Sequence, residues 1–266
     1  MDKIIMLGTG NGATMDLYNT CFVIQNDKGN FLVDTGGGIE IVKRLKQTGI
    51  DYKSLRHIFV SHSHTDHVLG LIWLFKKIGV ELMHNTLKEK ISIYCNDVVH
   101  TTIKEISKHV LPEKLVDIID ANVEFKILKD GDKYSIYGID YTFFDIQAKG
   151  TKQFGFECKL NNKKLAMLGD EKLNPKLYEK IIGYDYVMHE AFCLESEEQI
   201  YHANEKNHST TKSVSEVMNK LDIKNLIIYH TEESHGQKRK ELYTKEAQKY
   251  FNGNVIVPDD LETIII

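Results

Sequence analysis

Six residues, His62-Ser63-His64-Thr65-Asp66-His67, constrain this chain more than any other stretch of it. They follow the apolar run Ile58-Phe59-Val60 and precede a second apolar run, Val68 to Ile78, that ends at Gly79. The first run reads as a strand and the second as a helix. The junction between them therefore carries three imidazoles and a carboxylate. On an extended chain, His62 and His64 point to the same side. Asp66 and His67 begin the helix, where its dipole favours a carboxylate, and Gly70 lets that helix pack closely. Imidazole nitrogen with carboxylate oxygen suits borderline divalent ions: zinc first, manganese or iron as alternatives. The bland alternative is three surface histidines and a capping aspartate, and the density of donors argues against it.

The same grammar recurs along the chain. Leu165-Ala166-Met167-Leu168 leads to Gly169-Asp170, Tyr186-Val187-Met188 to His189-Glu190, and Leu226 to Tyr229 leads to His230. Polar groups at the ends of buried strands converge on one rim of a sheet, where α/β folds place their chemistry. Further short strands are expected at residues 4–7, 21–25, 30–33, 125–128, 133–137, 141–146, 154–160, 255–257 and 263–266. Helix faces are expected at Ile39 to Lys46, Val98 to Val110, Val214 to Leu221 and Tyr243 to Phe251. Two strand-rich halves, each followed by helices, predict a four-layer α/β/β/α sandwich. No Gly/Ser-rich linker interrupts the chain, so residues 1–266 are read as one domain.

Bulk composition narrows the partners. A net charge of −4 argues against a protein that grips nucleic acid over its whole surface, and leaves room for a local basic patch. The cysteines Cys21, Cys95, Cys158 and Cys193 form no CxxC pair, which fits a reducing cytosol and a cytoplasmic protein. No stretch approaches the run of about 18 apolar residues that spans a membrane, and Met1 to Gly8 reads as a first strand.

At these residues the chain resembles the metallo-β-lactamase-fold hydrolases, whose signature is HxHxDH. Leu7-Gly8-Thr9-Gly10 and Phe31-Leu32-Val33-Asp34-Thr35-Gly36 extend the resemblance to nearly the whole length. Within that superfamily it is similar to the ribonuclease Z-like branch, through His189-Glu190-Ala191-Phe192 and His208-Ser209-Thr210. The resemblance implies two divalent ions. His62 and His64 would hold the first, Asp66, His67 and His230 the second, and Asp170 would bridge both. It implies that buried Asp34 orients a ligand histidine. Glu190 and His208 would form a proton relay near the leaving group, with Asp66 near the attacking hydroxide. The branch expects another histidine after Tyr141 to Ile146, where this chain has Gln147, a weaker ligand. The first site is then expected to bind metal less tightly or to be empty, while the second stays strong, unless His202 or His235 substitutes.

The chemistry expected is hydrolysis by a metal-bound hydroxide, with His208 protonating a departing alkoxide. A proton donor on that side suits phosphodiesters, so the first reading is a phosphodiesterase on a small or nucleotide-derived substrate. Relatives that process tRNA carry a Gly- and Pro-rich arm absent here, which disfavours pre-tRNA. The alternatives are an ester, thioester or lactone hydrolase of the same fold, or a non-catalytic metal-binding descendant. The resemblance also allows a homodimer. Blander readings apply elsewhere: Ser209 as a helix N-cap, Lys238-Arg239-Lys240 as a solvated helix start, His189 as a strand-end histidine, and Gly8 to Gly12 as a loop with only superficial likeness to a phosphate cradle.

Overall fold

In the computed structural model, which describes residues 1–87 and 89–266, the two strand-rich halves become two seven-stranded sheets. The first half supplies β1 (Lys3–Gly8), β2 (Cys21–Asn26), β3 (Gly29–Val33), β4 (His57–Val60), β5 (Ile91–Cys95) and β6 (Val123–Ile127). Its helices are α1 (Glu40–Gln47), α2 (Thr65–Met83), α3 (Asp97–Val110) and α4 (Glu113–Asn122). The second half supplies β7 (Lys133–Ile136), β8 (Ile139–Asp145), β9 (Phe154–Leu160), β10 (Lys163–Met167), β11 (Tyr186–Glu190), β12 (Asn225–Tyr229) and β13 (Asn254–Ile256). Its helices are α5 (Tyr178–Ile181), α6 (Glu198–Tyr201), α7 (Thr211–Lys220) and α8 (Arg239–Ala247). The last strand, β14 (Thr263–Ile265), returns to pair with β1.

The strand orders are β14-β1-β2-β3-β4-β5-β6 and β13-β12-β11-β10-β9-β8-β7. Each half starts antiparallel and becomes parallel, from β3 to β6 and from β10 to β13. Parallel strands all finish on one side, so the residues that follow β3, β4, β10, β11 and β12 share a rim.

Period-2 alternation sorts the side chains into layers. Ile58 and Val60 of β4 face α1–α4, packing with Leu45, Leu71, Phe75 and Ile103, while Phe59 faces the opposite sheet. Aromatics fill the space between the sheets, where Phe31 meets Tyr141 edge-on at 4.8 Å. On the far side, Val187 and Ile228 pack under Val214, Met218 and Tyr243 of α7 and α8. This is the four-layer α/β/β/α sandwich expected from the sequence.

Helix α2 is held close to the sheet by one glycine. A Cβ on Gly70 would lie 1.9 Å from the carbonyl oxygen of Thr35, so no side chain fits there. The Gly70 N–H instead reaches Gly36 at 2.8 Å, and the Thr35 N–H and hydroxyl both bond the His67 carbonyl. The start of α2 is thereby fixed against the end of β3.

Some expectations change. Helix α2 is longer than expected, and β5 and α4 are additional elements. Arg239 is not solvated: it is 2% exposed and bonds Thr231, the Pro258 carbonyl and Asp259. The N-cap of α7 is Thr210 rather than Ser209, with Ser213 completing a capping box. No helix among the described residues is long and apolar enough to cross a membrane.

Candidate metal centre and active site

Residues far apart in sequence meet at the shared rim. Asp66 and His67 open α2, Asp170 follows β10, and His230 follows β12. Their donor atoms all lie within 4.8 Å of one another. The His67 Nε2 lies 3.2 Å from Asp66 Oδ2 and 3.3 Å from Asp170 Oδ2, and His230 Nε2 lies 3.4 Å from each of the same oxygens. A tetrahedral shell with ligand bonds of about 2.0–2.1 Å has edges of about 3.3–3.4 Å. The observed spacings fit such a shell. His67 Nε2 and Asp170 Oδ1 are buried without a hydrogen-bond partner, as atoms reserved for an ion would be.

A second cluster joins His62, His64 and Asp170. His62 Nε2 is 3.2 Å from Asp170 Oδ2 and 3.0 Å from His64 Nδ1. It has three donors where the first cluster has four, and His64 is exposed. Gln147 lies just beyond β8 with its side chain exposed; its N–H bonds Asp145 and its carbonyl accepts from Asn174. The side chain makes no hydrogen bond to His62, His64 or Asp170 among the described residues. His202 pairs with Glu205 and His235 with Glu197, so neither joins the cluster.

The electrostatics favour a cation. Burial alone would keep His67 neutral, but Asp66 and Asp34 outweigh it and hold its pKa well above the usual imidazole range. Burial alone would raise Asp66 and Asp170, yet the surrounding imidazoles hold both well below the usual carboxylate range. Buried carboxylates in this number demand positive charge.

Asp34 sets the tautomers. One of its oxygens accepts from His67 Nδ1 at 2.9 Å. Both take the Ser61 hydroxyl, and one also takes the Ser61 N–H. The Ser61 oxygen in turn stands 3.0 Å from His62 Nδ1. One carboxylate thus leaves Nε2 of both His62 and His67 free for an ion. The sequence pointed to Asp34 but not to Ser61, whose only signal is its place before His62. Asp34, Gln147 and His230 all adopt left-handed backbone, with φ of 55° at each, immediately or shortly after a strand. For a residue with a side chain that conformation carries strain of order 1–3 kcal/mol.

The loop after β1 closes the rim. Gly10 bridges to Thr231 across the two sheets. A Cβ on Gly12 would lie 3.1 Å from the Asp66 carboxylate, so a glycine leaves that carboxylate room on this side. Half-buried His208 stacks on Phe192, with ring centroids 4.5 Å apart, and stands 5.5 Å from the His230 ring. Its Nδ1 is 3.8 Å from Glu190 Oε2, longer than a hydrogen bond. The Glu190 carboxylate instead takes the backbone N–H groups of Phe192 and Ser209. Burial pushes Glu190 well above the usual carboxyl range and, with His230, lowers His208 to about 4.

Over 99% of this chain and 98% of its relative, it is 25% identical to ribonuclease Z of Pyrobaculum calidifontis. The metallo-β-lactamase fold protein YhfI from Bacillus subtilis superposes with a TM-score of 0.80 at 14% identity, covering 99% of this chain and 98% of YhfI. Human tRNase Z, short form, superposes with a TM-score of 0.73 at 19% identity, covering 100% of this chain and 99% of that one. The protein is a hydrolase of the metallo-β-lactamase fold, similar to ribonuclease Z. A more specific family model, that of the anti-Pycsar protein Apyc1, matches residues 2–250, and the chain belongs to that family.

Proposed function

We propose that the protein is a metal-dependent phosphodiesterase, with zinc as first choice of ion, acting on small or nucleotide-derived phosphodiesters. The observation that carries this reading is His208, seated on Phe192 beside the four-donor cluster. A proton donor at this position serves a poor leaving group, and phosphodiesters have one.

Asp66, His67, Asp170 and His230 would hold one ion, and His62, His64 and Asp170 the other. Divalent ions held there would lower the pKa of a water to about 7 and neutralise charge on a phosphoryl oxygen. Asp66 accepts a hydrogen bond from the attacking water and orients it. His208, uncharged with its pKa lowered to about 4, gives its ring proton to the departing oxygen only as Glu190 protonates its Nδ1. Glu190, kept protonated by burial, resupplies that proton once the His208 ring closes the 3.8 Å gap. A small substrate is supported by the connection of β9 to β10, which is only Asn161-Asn162. Four unpaired, buried cysteines fit a cytoplasmic location.

Bis-p-nitrophenyl phosphate supplied with Zn²⁺ or Mn²⁺ tests this. Turnover is expected, and Asp66→Ala is expected to abolish it. Turnover that survives Asp66→Ala, or hydrolysis of carboxylic esters and thioesters alone, refutes the proposal.

A further inference from the structure

We propose that Glu171 is a positioning residue for the leaving-group acid, registering the loop that carries His208 against Asp170. The inference rests on the reading of His208 as that acid.

Glu171 follows Asp170 directly and is 6% exposed. Its carboxylate takes the N–H of Lys149 at 2.9 Å, the N–H of Gly150 at 3.2 Å, Gln153 Nε2 at 3.5 Å and the side-chain amide of Asn207. All four donors are neutral. They come from two loops: residues 147–153, at the edge of the three-donor cluster, and residues 204–208. An added Cβ at Gly150 would stand 3.0 Å from a Glu171 oxygen, so this close approach suits a glycine.

Asn207 is gripped twice. Glu171 holds its side chain, and the Lys172 N–H holds its carbonyl at 2.8 Å. The next residue is His208. The residue after that, Ser209, has its N–H on the Glu190 carboxylate. His208 is therefore suspended between two buried carboxylates, Glu171 fixing the residue before it and Glu190 the residue after it. Its own Nδ1 has no hydrogen-bond partner. The ring's aim is thus set by its backbone, by Phe192 and by the Asp170 backbone carbonyl beside it. A burial-costly carboxylate on neutral donors alone finds a use in this role.

The test compares Glu171→Ala, Glu171→Gln, Asn207→Ala and His208→Ala on two substrates, with metal content and melting temperature measured for each. Bis-p-nitrophenyl phosphate releases an anion that needs little protonation, whereas diphenyl phosphate releases a more basic phenolate. His208→Ala is expected to lower diphenyl phosphate turnover about 100-fold, the low end of general-acid catalysis, and bis-p-nitrophenyl phosphate turnover far less. Glu171→Ala and Asn207→Ala are expected to show the same selectivity at about tenfold, as a misaimed group would. Glu171→Gln, which keeps one acceptor oxygen, falls between Ala and the parent. In a His208→Ala background, Glu171→Ala adds no further loss on diphenyl phosphate. Metal content stays at the parental level.

Equal loss on both substrates, a full additional loss in the His208→Ala background, or loss of metal in Glu171→Gln and Asn207→Ala overturns the proposal. If His208→Ala itself spares both substrates or hits them equally, the acid reading falls and takes this inference with it. If His208→Ala is selective and the Glu171 and Asn207 variants are not, only the inference fails.

Discussion

Replacing Asp34 with asparagine separates metal binding from folding. Asparagine has the same shape and also tolerates the left-handed backbone at this position. One oxygen of Asp34 receives the Ser61 N–H at 2.8 Å, and that donor is fixed by the backbone. An asparagine oxygen must take this place. Its amide NH₂ then faces His67 Nδ1, now 2.9 Å from the other Asp34 oxygen. In the neutral ring that an ion requires, two donors then oppose each other, and the clash is relieved by placing the ring proton on Nε2. That nitrogen then points an N–H at Asp66 and Asp170 and no longer offers a lone pair. The Ser61 hydroxyl also loses one acceptor, which loosens His62.

Loss of a partner that orients a ligand costs about 10- to 100-fold in metal affinity, or ~1.4–2.8 kcal/mol. The asparagine variant should therefore bind Zn²⁺ or Mn²⁺ that much more weakly in competition with a chromogenic chelator. Its metal-free fold should change little, since a buried charge is removed from a carboxylate-rich cluster. Asp34→Ala should do the opposite in emphasis. It strands the buried Ser61 N–H and destabilises the fold by about 1–3 kcal/mol, read by urea unfolding without metal. Parental metal affinity in Asp34→Asn would refute the tautomer argument.

Two further outcomes are expected. The clusters are unequal, so metal analysis after prolonged dialysis should find one ion lost before the other; two equivalents held equally tightly would contradict the three-donor reading of His62, His64 and Asp170. His189 is fully buried, and burial lowers its pKa from the usual 6.5 to about 4. As pH falls through that window the unfolded chain takes a proton that the folded chain refuses. Stability is therefore full above the unfolded value and drops by up to about 1.4 kcal/mol per pH unit on the way to the folded one. His189→Leu should remove that slope from urea midpoints measured across the window, and an unchanged slope would refute the assignment.

What the sequence discloses about this site follows from where each partner lies in the chain. His62 to His67 are legible because strand, donors and helix are consecutive. Asp170 and His230 are legible because each ends a strongly apolar run. Gln147 obeys the same rule, standing just beyond β8, yet its side chain is exposed. The difference lies in the loop that follows: Glu171 holds Lys149 and Gly150, and Asn96 holds the Lys152 carbonyl at 2.9 Å. None of this leaves a pattern in sequence, because the groups being held are backbone N–H and C=O, which every residue offers. The same reason hides β5, whose five residues, Ile91–Cys95, are fixed by pairing with β4 and β6 on either side. It also hides the full role of Asp34, which reaches His62 only through Ser61. The ligands of this centre are thus written in residue types, while the carboxylates that aim them act on backbone and tautomers. A substitution at Asp34, Glu171 or Glu190 leaves every ligand in place and still changes which atoms face the reaction.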